Sequence, residues 1–133
     1  MQLLYLLDTN ICIYIAKKKP LQVLEHFKTV SVGEAGMSLI TYGELLSGAH
    51  KSQQREKVLE NLETLSHLIP LLPMGTDVSM HYAHIRSMLE KKGTPIGNND
   101  LWIAAHALSL NVTLVTNNEK EFRRVPGLKM ENW

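Results

Sequence analysis

An apolar run near the start of the chain, followed at once by helix-starting residues, is the feature that most limits the possible folds. Leu3–Leu7 is continuously apolar, which is typical of a strand buried on both faces, as in a parallel sheet. Asp8-Thr9-Asn10 follows directly and carries side chains that favour the first position of a helix. A buried strand that passes straight into a helix predicts an α/β fold.

The rest of the chain continues to alternate between short strands and helices. Further strands are predicted at 35–39, 68–72, 112–116 and 128–130, although Pro70 favours an edge strand or an irregular segment for the second of these. Thr41 is a candidate cap for one helix, and Thr76 or Asp77 for another. Helices are predicted at about 9–18, 21–28, 42–50, 53–66, 77–92, 101–110 and 117–122. This order predicts a central parallel sheet with helices on both faces.

Composition narrows the class of protein. The length of 133 residues predicts a single domain spanning 1–133, and the only cysteine, Cys12, excludes an internal disulfide and favours a reducing compartment. The first residues lack the basic segment of a signal peptide, and no apolar stretch is long enough to span a membrane, so we expect a cytoplasmic protein. A net charge of +1 neither favours nor excludes a nucleic-acid substrate.

Three carboxylates have unusually apolar neighbours. Asp8 follows the first strand, Glu44 lies near the start of the helix after the second, and Asp100 begins the helix before the last major strand. Each can also be explained as a helix cap or a surface acid. However, no Lys or Arg lies within three residues of any of them, and buried carboxylates brought together need a cation. Oxygen ligands alone favour Mg²⁺ or Mn²⁺.

Other kinds of catalytic site lack support in the sequence. The closest histidine pair, His81 and His84, has a spacing that fits one face of a helix better than a zinc site. No Gly-rich phosphate loop and no serine-hydrolase elbow is present. Asp77 also lies at a predicted helix start, but beyond the weakest strand, and is interpreted as a cap only.

Several stretches in this order resemble the PIN-domain family and, within it, the VapC toxins of bacterial toxin–antitoxin pairs. The resemblance spans the whole chain and is carried by Leu7-Asp8-Thr9-Asn10, Thr41-Tyr42-Gly43-Glu44-Leu45, Pro95-Ile96-Gly97-Asn98-Asn99-Asp100, Thr116-Asn117-Asn118-Glu119-Lys120-Glu121-Phe122, Arg124-Val125-Pro126-Gly127-Leu128 and Glu131-Asn132-Trp133.

This resemblance implies a PIN-like three-layer sandwich and a Mg²⁺- or Mn²⁺-dependent endoribonuclease. It implies that the substrate is structured RNA, with tRNA and the anticodon region of initiator tRNA as the leading candidates. It also implies a homodimer that is held inactive by a VapB-type antitoxin. By motif match, the carboxylates of Asp8, Glu44 and Asp100 would bind the metal.

The fourth acid of the site is less clearly defined. Many PIN domains have an aspartate where this chain has Asn118. A helix beginning near Asn117 places Asn118 and Glu121 on one face, so Glu121 is the predicted fourth acid, with Glu119 or Asn118 itself as alternatives. The neighbouring polar residues would support the acids or simply cap helices and end a strand; they are Thr9, Asn10, Thr116 and Asn118.

Basic residues and rival functions complete the interpretation. Lys91, Lys92, Arg123 and Arg124 are candidates for weak contacts with RNA phosphates, although such clusters are usually solvated surface.

One rival function is another metal-dependent phosphohydrolase acting on DNA or a small phosphorylated molecule. The other is a non-catalytic α/β interaction module in which the acids serve only as caps.

Overall fold

A computed structural model describes residues 2–133 and contains a four-stranded parallel sheet at its centre. The strand order is β2-β1-β3-β4, and Leu6 of β1 pairs with Gly36 of β2 on one side and Leu114 of β3 on the other. The strands are β1 (Tyr5–Leu7), β2 (Ala35–Gly36), β3 (Thr113–Val115) and β4 (Met130–Glu131). Because all pairs are parallel, the carboxyl ends of the strands share one edge.

Within residues 2–133, seven helices connect and cover these strands. They are α1 (Thr9–Lys17), α2 (Leu21–Lys28), α3 (Leu39–Lys51), α4 (Arg55–Leu68), α5 (Thr76–Lys91), α6 (Asn98–Leu110) and α7 (Glu119–Phe122). None of the helices between residues 2 and 133 combines the length and the apolar character needed to cross a bilayer.

The sheet separates two apolar cores, because successive strand residues point to opposite faces. Leu6 and Leu114 belong to the core beneath α5 and α6. Leu7 and Val115 belong to the opposite core, which is built from α1 to α4 and closed by Trp133. The predicted three-layer α/β sandwich is therefore confirmed.

Several predicted boundaries were wrong. Thr41 is not a cap: Ser38 begins α3 by accepting a hydrogen bond from the Ile40 amide at 3.0 Å. The segment 68–72 is not a strand, because α4 continues to Leu68 and only Leu71 forms an isolated parallel bridge, to Met37. Helix α6 starts at Asn98, three residues earlier than predicted, and the last strand lies at Met130–Glu131.

The cap assigned to Asp77 was also wrong. Gly75 occupies the capping position of α5, and no side chain caps it. Asp77 lies instead in the first turn, where a negative charge is favourable because the helix dipole is positive there.

Cys12 is fully buried in α1. Burial, together with the negative charge of Asp8, raises the pKa of its thiol. A thiol in this environment stays protonated and unreactive, as expected for a small buried apolar residue.

Candidate active site

The carboxyl-terminal edge of the sheet carries the acids. Asp8 follows β1 and Thr116 follows the neighbouring strand β3. Glu44 lies on α3, Asp100 in the first turn of α6, and Glu121 on α7. Parallel topology thus brings together residues separated by more than a hundred positions in sequence, at the edge where ligands bind in such sheets.

Asp8 is the most buried of the four, with 6% of its surface exposed. Its Oδ1 accepts a hydrogen bond from the Thr9 amide at 2.7 Å, and its Oδ2 accepts one from Thr116 Oγ1 at 2.8 Å. Burial is the largest cause of its raised pKa, the two hydrogen bonds oppose the shift, and the charges of Glu44 and Glu121 add to it. Asp8 therefore serves both as the N-cap of α1 and as a fixed carboxylate facing other acids.

Glu44 is exposed and is oriented from α1. Its Oε1 accepts a hydrogen bond from Thr9 Oγ1 at 2.6 Å, and that hydroxyl lies 3.2 Å from Thr41 Oγ1. Thr41 is fully buried inside α3. Thr9 therefore links the first two acids of the site, since its backbone amide donates to Asp8 and its hydroxyl donates to Glu44.

Glu121 is oriented by two donors. Its Oε1 accepts from the Gly97 amide at 3.0 Å and its Oε2 accepts from Asn118 Nδ2 at 2.8 Å. These hydrogen bonds, followed by the positive charge of Arg124, lower its pKa. The predicted proximity of Asn118 and Glu121 is confirmed, although α7 begins at Glu119 and Asn118 is its N-cap. No hydrogen bond in the described chain connects Glu119 to these acids.

Asp100 is half-buried, and its pKa is raised the most among the four acids. Its pKa is raised to about 6, first by burial and then by the charges of Asp8, Glu121 and Glu44. The charges of all three other carboxylates therefore act on Asp100. At neutral pH the site therefore concentrates negative charge.

The donor set fits a hard divalent cation. Among residues 2–133 no ion pair joins a Lys or Arg to these four acids, and the ion pair found, Arg86 with Glu90, lies elsewhere. Hard carboxylate oxygens with unneutralised charge suit Mg²⁺ or Mn²⁺. However, no three His, Cys, Asp or Glu side chains of the described chain stand ready to hold a metal.

A polar rim surrounds the acids, and sequence reasoning found only part of it. Asn10 Nδ2 lies 3.4 Å from Asn117 Oδ1, and Asn117 Nδ2 donates to the Tyr14 hydroxyl at 2.7 Å. The Asn118 amide donates to Thr116 Oγ1 at 3.0 Å. Thr41, Gly97 and Tyr14 were missed, because their roles are tertiary contacts that leave no local pattern in the sequence.

The candidate RNA-binding cations are placed unequally. Arg124 reaches the site, where its Nη1 donates to the Pro95 carbonyl at 2.9 Å and its charge acts on Glu121. Lys91 ends α5, Lys92 follows it, and Arg123 follows α7; all three are exposed. Within residues 2–133 no hydrogen bond or ion pair ties these three to the acids, so their contact with RNA stays a prediction.

Comparison with known proteins identifies the family. The model of the PIN domain matches residues 5–128. This chain belongs to the PIN-domain family. Its VapC relatives include Ribonuclease VapC1 of Haemophilus influenzae (strain R2866), 42% identical over 132 residues that cover 98% of both chains. The tRNA(fMet)-specific endonuclease VapC of Salmonella typhimurium is 40% identical over 129 residues, which cover 97% of both.

Solved PIN-domain structures agree with this assignment. The structure of DNA-bound VapBC from Salmonella typhimurium contains a chain that matches with a TM-score of 0.93 and 39% identity, covering 99% of both chains. VapBC2 from Rickettsia felis, bound to a DNA fragment from its promoter, matches with a TM-score of 0.91 and 38% identity, covering 98% of this chain and 99% of that one. The predicted family and fold are thus confirmed.

Proposed function

We propose that this PIN domain is a metal-dependent endoribonuclease of the VapC toxin type. The observation that carries the proposal is the convergence of four carboxylates at one sheet edge, with the pKa of Asp100 raised to about 6 by burial and by the other three. Such a concentration of negative charge destabilises the folded protein unless a bound cation neutralises it. The relatives that carry the names of ribonucleases and a tRNA endonuclease support RNA as the substrate of such a metal site.

The residues would divide the chemistry as follows. Asp8, Glu44 and Asp100 would hold Mg²⁺ or Mn²⁺, with Glu121 as the fourth acid. A cation bound there would neutralise charge on the phosphate and acidify the attacking water. Thr9 and Thr116 orient Asp8 through their hydrogen bonds. One of the carboxylates would accept the proton of the water.

We propose the substrate and the partners of this chain from those named for its relatives. A relative named for initiator tRNA makes tRNA, and its anticodon region, the first RNA to test. Because the solved relatives are VapBC complexes, we propose a VapB-type antitoxin as the inhibitor. A homodimer and a cytoplasmic location complete the proposal. Light scattering of the purified chain, alone and with its antitoxin, measures both assemblies.

The first test compares the purified, antitoxin-free protein with its Asp8→Asn variant on total bacterial RNA. We expect discrete fragments with Mg²⁺ or Mn²⁺ and none with EDTA. The variant should lose cleavage but keep its fold, because the asparagine Oδ1 can still accept from the Thr9 amide as a helix cap. Its Nδ2 can donate to the Thr116 hydroxyl oxygen in place of the present hydrogen bond. Thermal melting of both proteins verifies the fold, and sequencing of the fragments identifies the RNA.

The alternatives predict different results. Intact RNA together with cleavage of DNA or of a small phosphate ester would identify another phosphohydrolase. Full RNA cleavage by the Asp8→Asn variant would refute the assignment of the metal site. A folded wild-type protein that neither binds Mg²⁺ nor cleaves any phosphoester would leave the non-catalytic interaction module as the function.

A further inference from the structure

A chain of hydrogen-bonded side chains lies on the exposed surface where α5 meets the start of α6. Arg86 Nε lies 3.4 Å from Glu90 Oε2, and Arg86 Nη1 donates to the Tyr82 hydroxyl at 2.8 Å. The Tyr82 hydroxyl in turn donates to Asn98 Oδ1. The Arg86 and Glu90 side chains remain 50% and 57% exposed. Exposed pairs of this kind add little stability and cost side-chain entropy.

Aromatic packing holds the middle of this chain in place. The rings of Tyr82 and Trp102 stack with centroids 3.8 Å apart and planes 14° apart. The Arg86 guanidinium lies 5.9 Å from the Tyr82 ring centroid, within the range of a cation–π contact. The hydroxyl of Tyr82 is thereby fixed, and with it the orientation of Arg86 and Asn98.

These fixed polar groups surround a small cavity with an apolar floor. Its volume is about 210 Å³, below the roughly 300–1,000 Å³ of pockets that enclose whole small ligands. The size suits one ring system of a larger molecule. Arg86, Glu90 and Asn98 supply its polar groups, and its apolar lining consists of Leu89, Pro95, Ile96 and Leu101.

We infer that this cavity binds one unpaired base of the RNA substrate, an inference that rests on the proposed ribonuclease function. Base edges present both donors and acceptors, and single-stranded RNA is read by pockets that combine polar groups with flat apolar contacts. Arg86 offers donors, Glu90 offers acceptors and Asn98 offers both. A phosphate is disfavoured, because the carboxylate of Glu90 would repel it.

The cavity is joined to the acids through the start of α6. Asn98 and Asp100 lie two residues apart in the same helical turn. The preceding loop is tied to α7 by hydrogen bonds from Gly97 to Glu121 and from Arg124 to the Pro95 carbonyl. A base held in the cavity would thus fix the register of the RNA strand relative to the acids.

The test measures base preference rather than activity alone. RNA with randomised positions around the cleavage site is cut by the wild type and by Arg86→Gln and Glu90→Gln variants. We expect Arg86→Gln to raise KM roughly tenfold, the size of effect typical of a lost base contact. Both variants should relax the preference at one and the same nucleotide position. Lys57→Gln is the matched control, since it removes the same positive charge from an exposed position on a different helix, α4.

Two results of the cleavage experiment would overturn the base pocket. One is wild-type KM and base preference in Arg86→Gln. The other is full retention of both in Arg86→Lys, which would indicate a simple charge contact with phosphate. Fluorescence anisotropy of labelled RNA oligonucleotides in EDTA gives a readout without cleavage. If the wild type cleaves no RNA, the ribonuclease proposal fails. Equal RNA binding by the wild type and by Arg86→Gln in EDTA would contradict base binding in this cavity, whatever the result of the cleavage experiment.

Discussion

Helices α5 and α6 begin in nearly the same way, yet their first turns have different surroundings. Each has a glycine at the capping position and an aspartate in its first turn, Gly75 with Asp77 and Gly97 with Asp100. Both carboxylates lie near the capping glycine of their own helix, but Asp77 is exposed to solvent. Asp100 is half-buried and faces Asp8, Glu121 and Glu44.

The difference comes from topology and not from local sequence. The first turn of α6 lies at the carboxyl-terminal edge of the sheet, where Asp8 follows β1. The charge of Asp77 instead acts on His106, near the other end of α6. The same local motif can therefore serve only the helix dipole in one place and a cluster of acids in the other.

Replacing each aspartate in turn tests this comparison and should give the largest effect. We expect Asp100→Asn to lower RNA cleavage about a hundredfold or more, because it removes one of the carboxylates proposed to bind the metal. Asp77→Asn should cleave like the wild type. Single-turnover cleavage in Mg²⁺ measures both variants, and an equal loss in the two would contradict the functional distinction between the helix starts.

Removing the same charge should make the protein more stable in the absence of metal. The pKa of Asp100 is raised from 3.8 to about 6 in the folded state, so its contribution favours folding at low pH and is lost as the pH rises through 6. Discounted for its partial exposure, the charged form costs about 1–2 kcal/mol at neutral pH.

Melting of Asp100→Asn in EDTA checks this second prediction. At pH 7.5 the variant should melt about 4 °C above the wild type, and the difference should shrink toward pH 4. Asp77→Asn, which removes an exposed charge from a helix start, should show no such gain. A lower melting temperature for Asp100→Asn than for the wild type at pH 7.5 would show that the charge of Asp100 does not destabilise the folded protein.

Replacement of His106, the residue on which the charge of Asp77 acts, should give the smallest effect. It is fully buried, its Nε2 lies 3.1 Å from the Pro73 carbonyl, and within residues 2–133 its Nδ1 has no partner. Burial lowers its pKa, against smaller opposing effects of Pro73 and Asp77. Its contribution to stability is therefore complete above the unfolded pKa near 6.5 and declines as the pH falls below that value.

A His106→Leu variant isolates this contribution. At pH 7 it should lose about 1 kcal/mol, because the Pro73 carbonyl loses its partner. Between pH 7 and 5 its stability should decline less than that of the wild type. Urea unfolding at both pH values measures the difference, in which the contribution of Asp100 cancels. If the stability of the wild type and of the variant declined equally between pH 7 and 5, His106 would not contribute to the pH dependence of stability.

The sequence predicted those parts of the fold that depend on local signals. The strand and cap around Asp8 follow from an apolar run that ends in a capping residue, and Asn118 with Glu121 follows from helical spacing. The start of α3 was missed because Ser38 and Thr41 are both capping residues. The chain stays extended through Ser38, directly after the bridge between Met37 and Leu71.

The candidate site was predictable in its acids but not in the groups that orient them. Asp8, Glu44 and Asp100 stand out because their neighbours are apolar. The Gly97 amide bound to Glu121 and the Thr9 hydroxyl bound to Glu44 are contacts across 24 and 35 residues of sequence. Such contacts depend on the packing of whole elements, which single-sequence patterns do not encode.

The inertness of Cys12 has a practical consequence for spectroscopy. Because this thiol is fully buried with a raised pKa, thiol-reactive dyes and spin labels should leave the native protein unmodified. A single cysteine introduced at an exposed position such as Lys57 would then be labelled selectively. The chain thus offers a background for distance measurements by fluorescence or electron paramagnetic resonance without prior removal of its own cysteine.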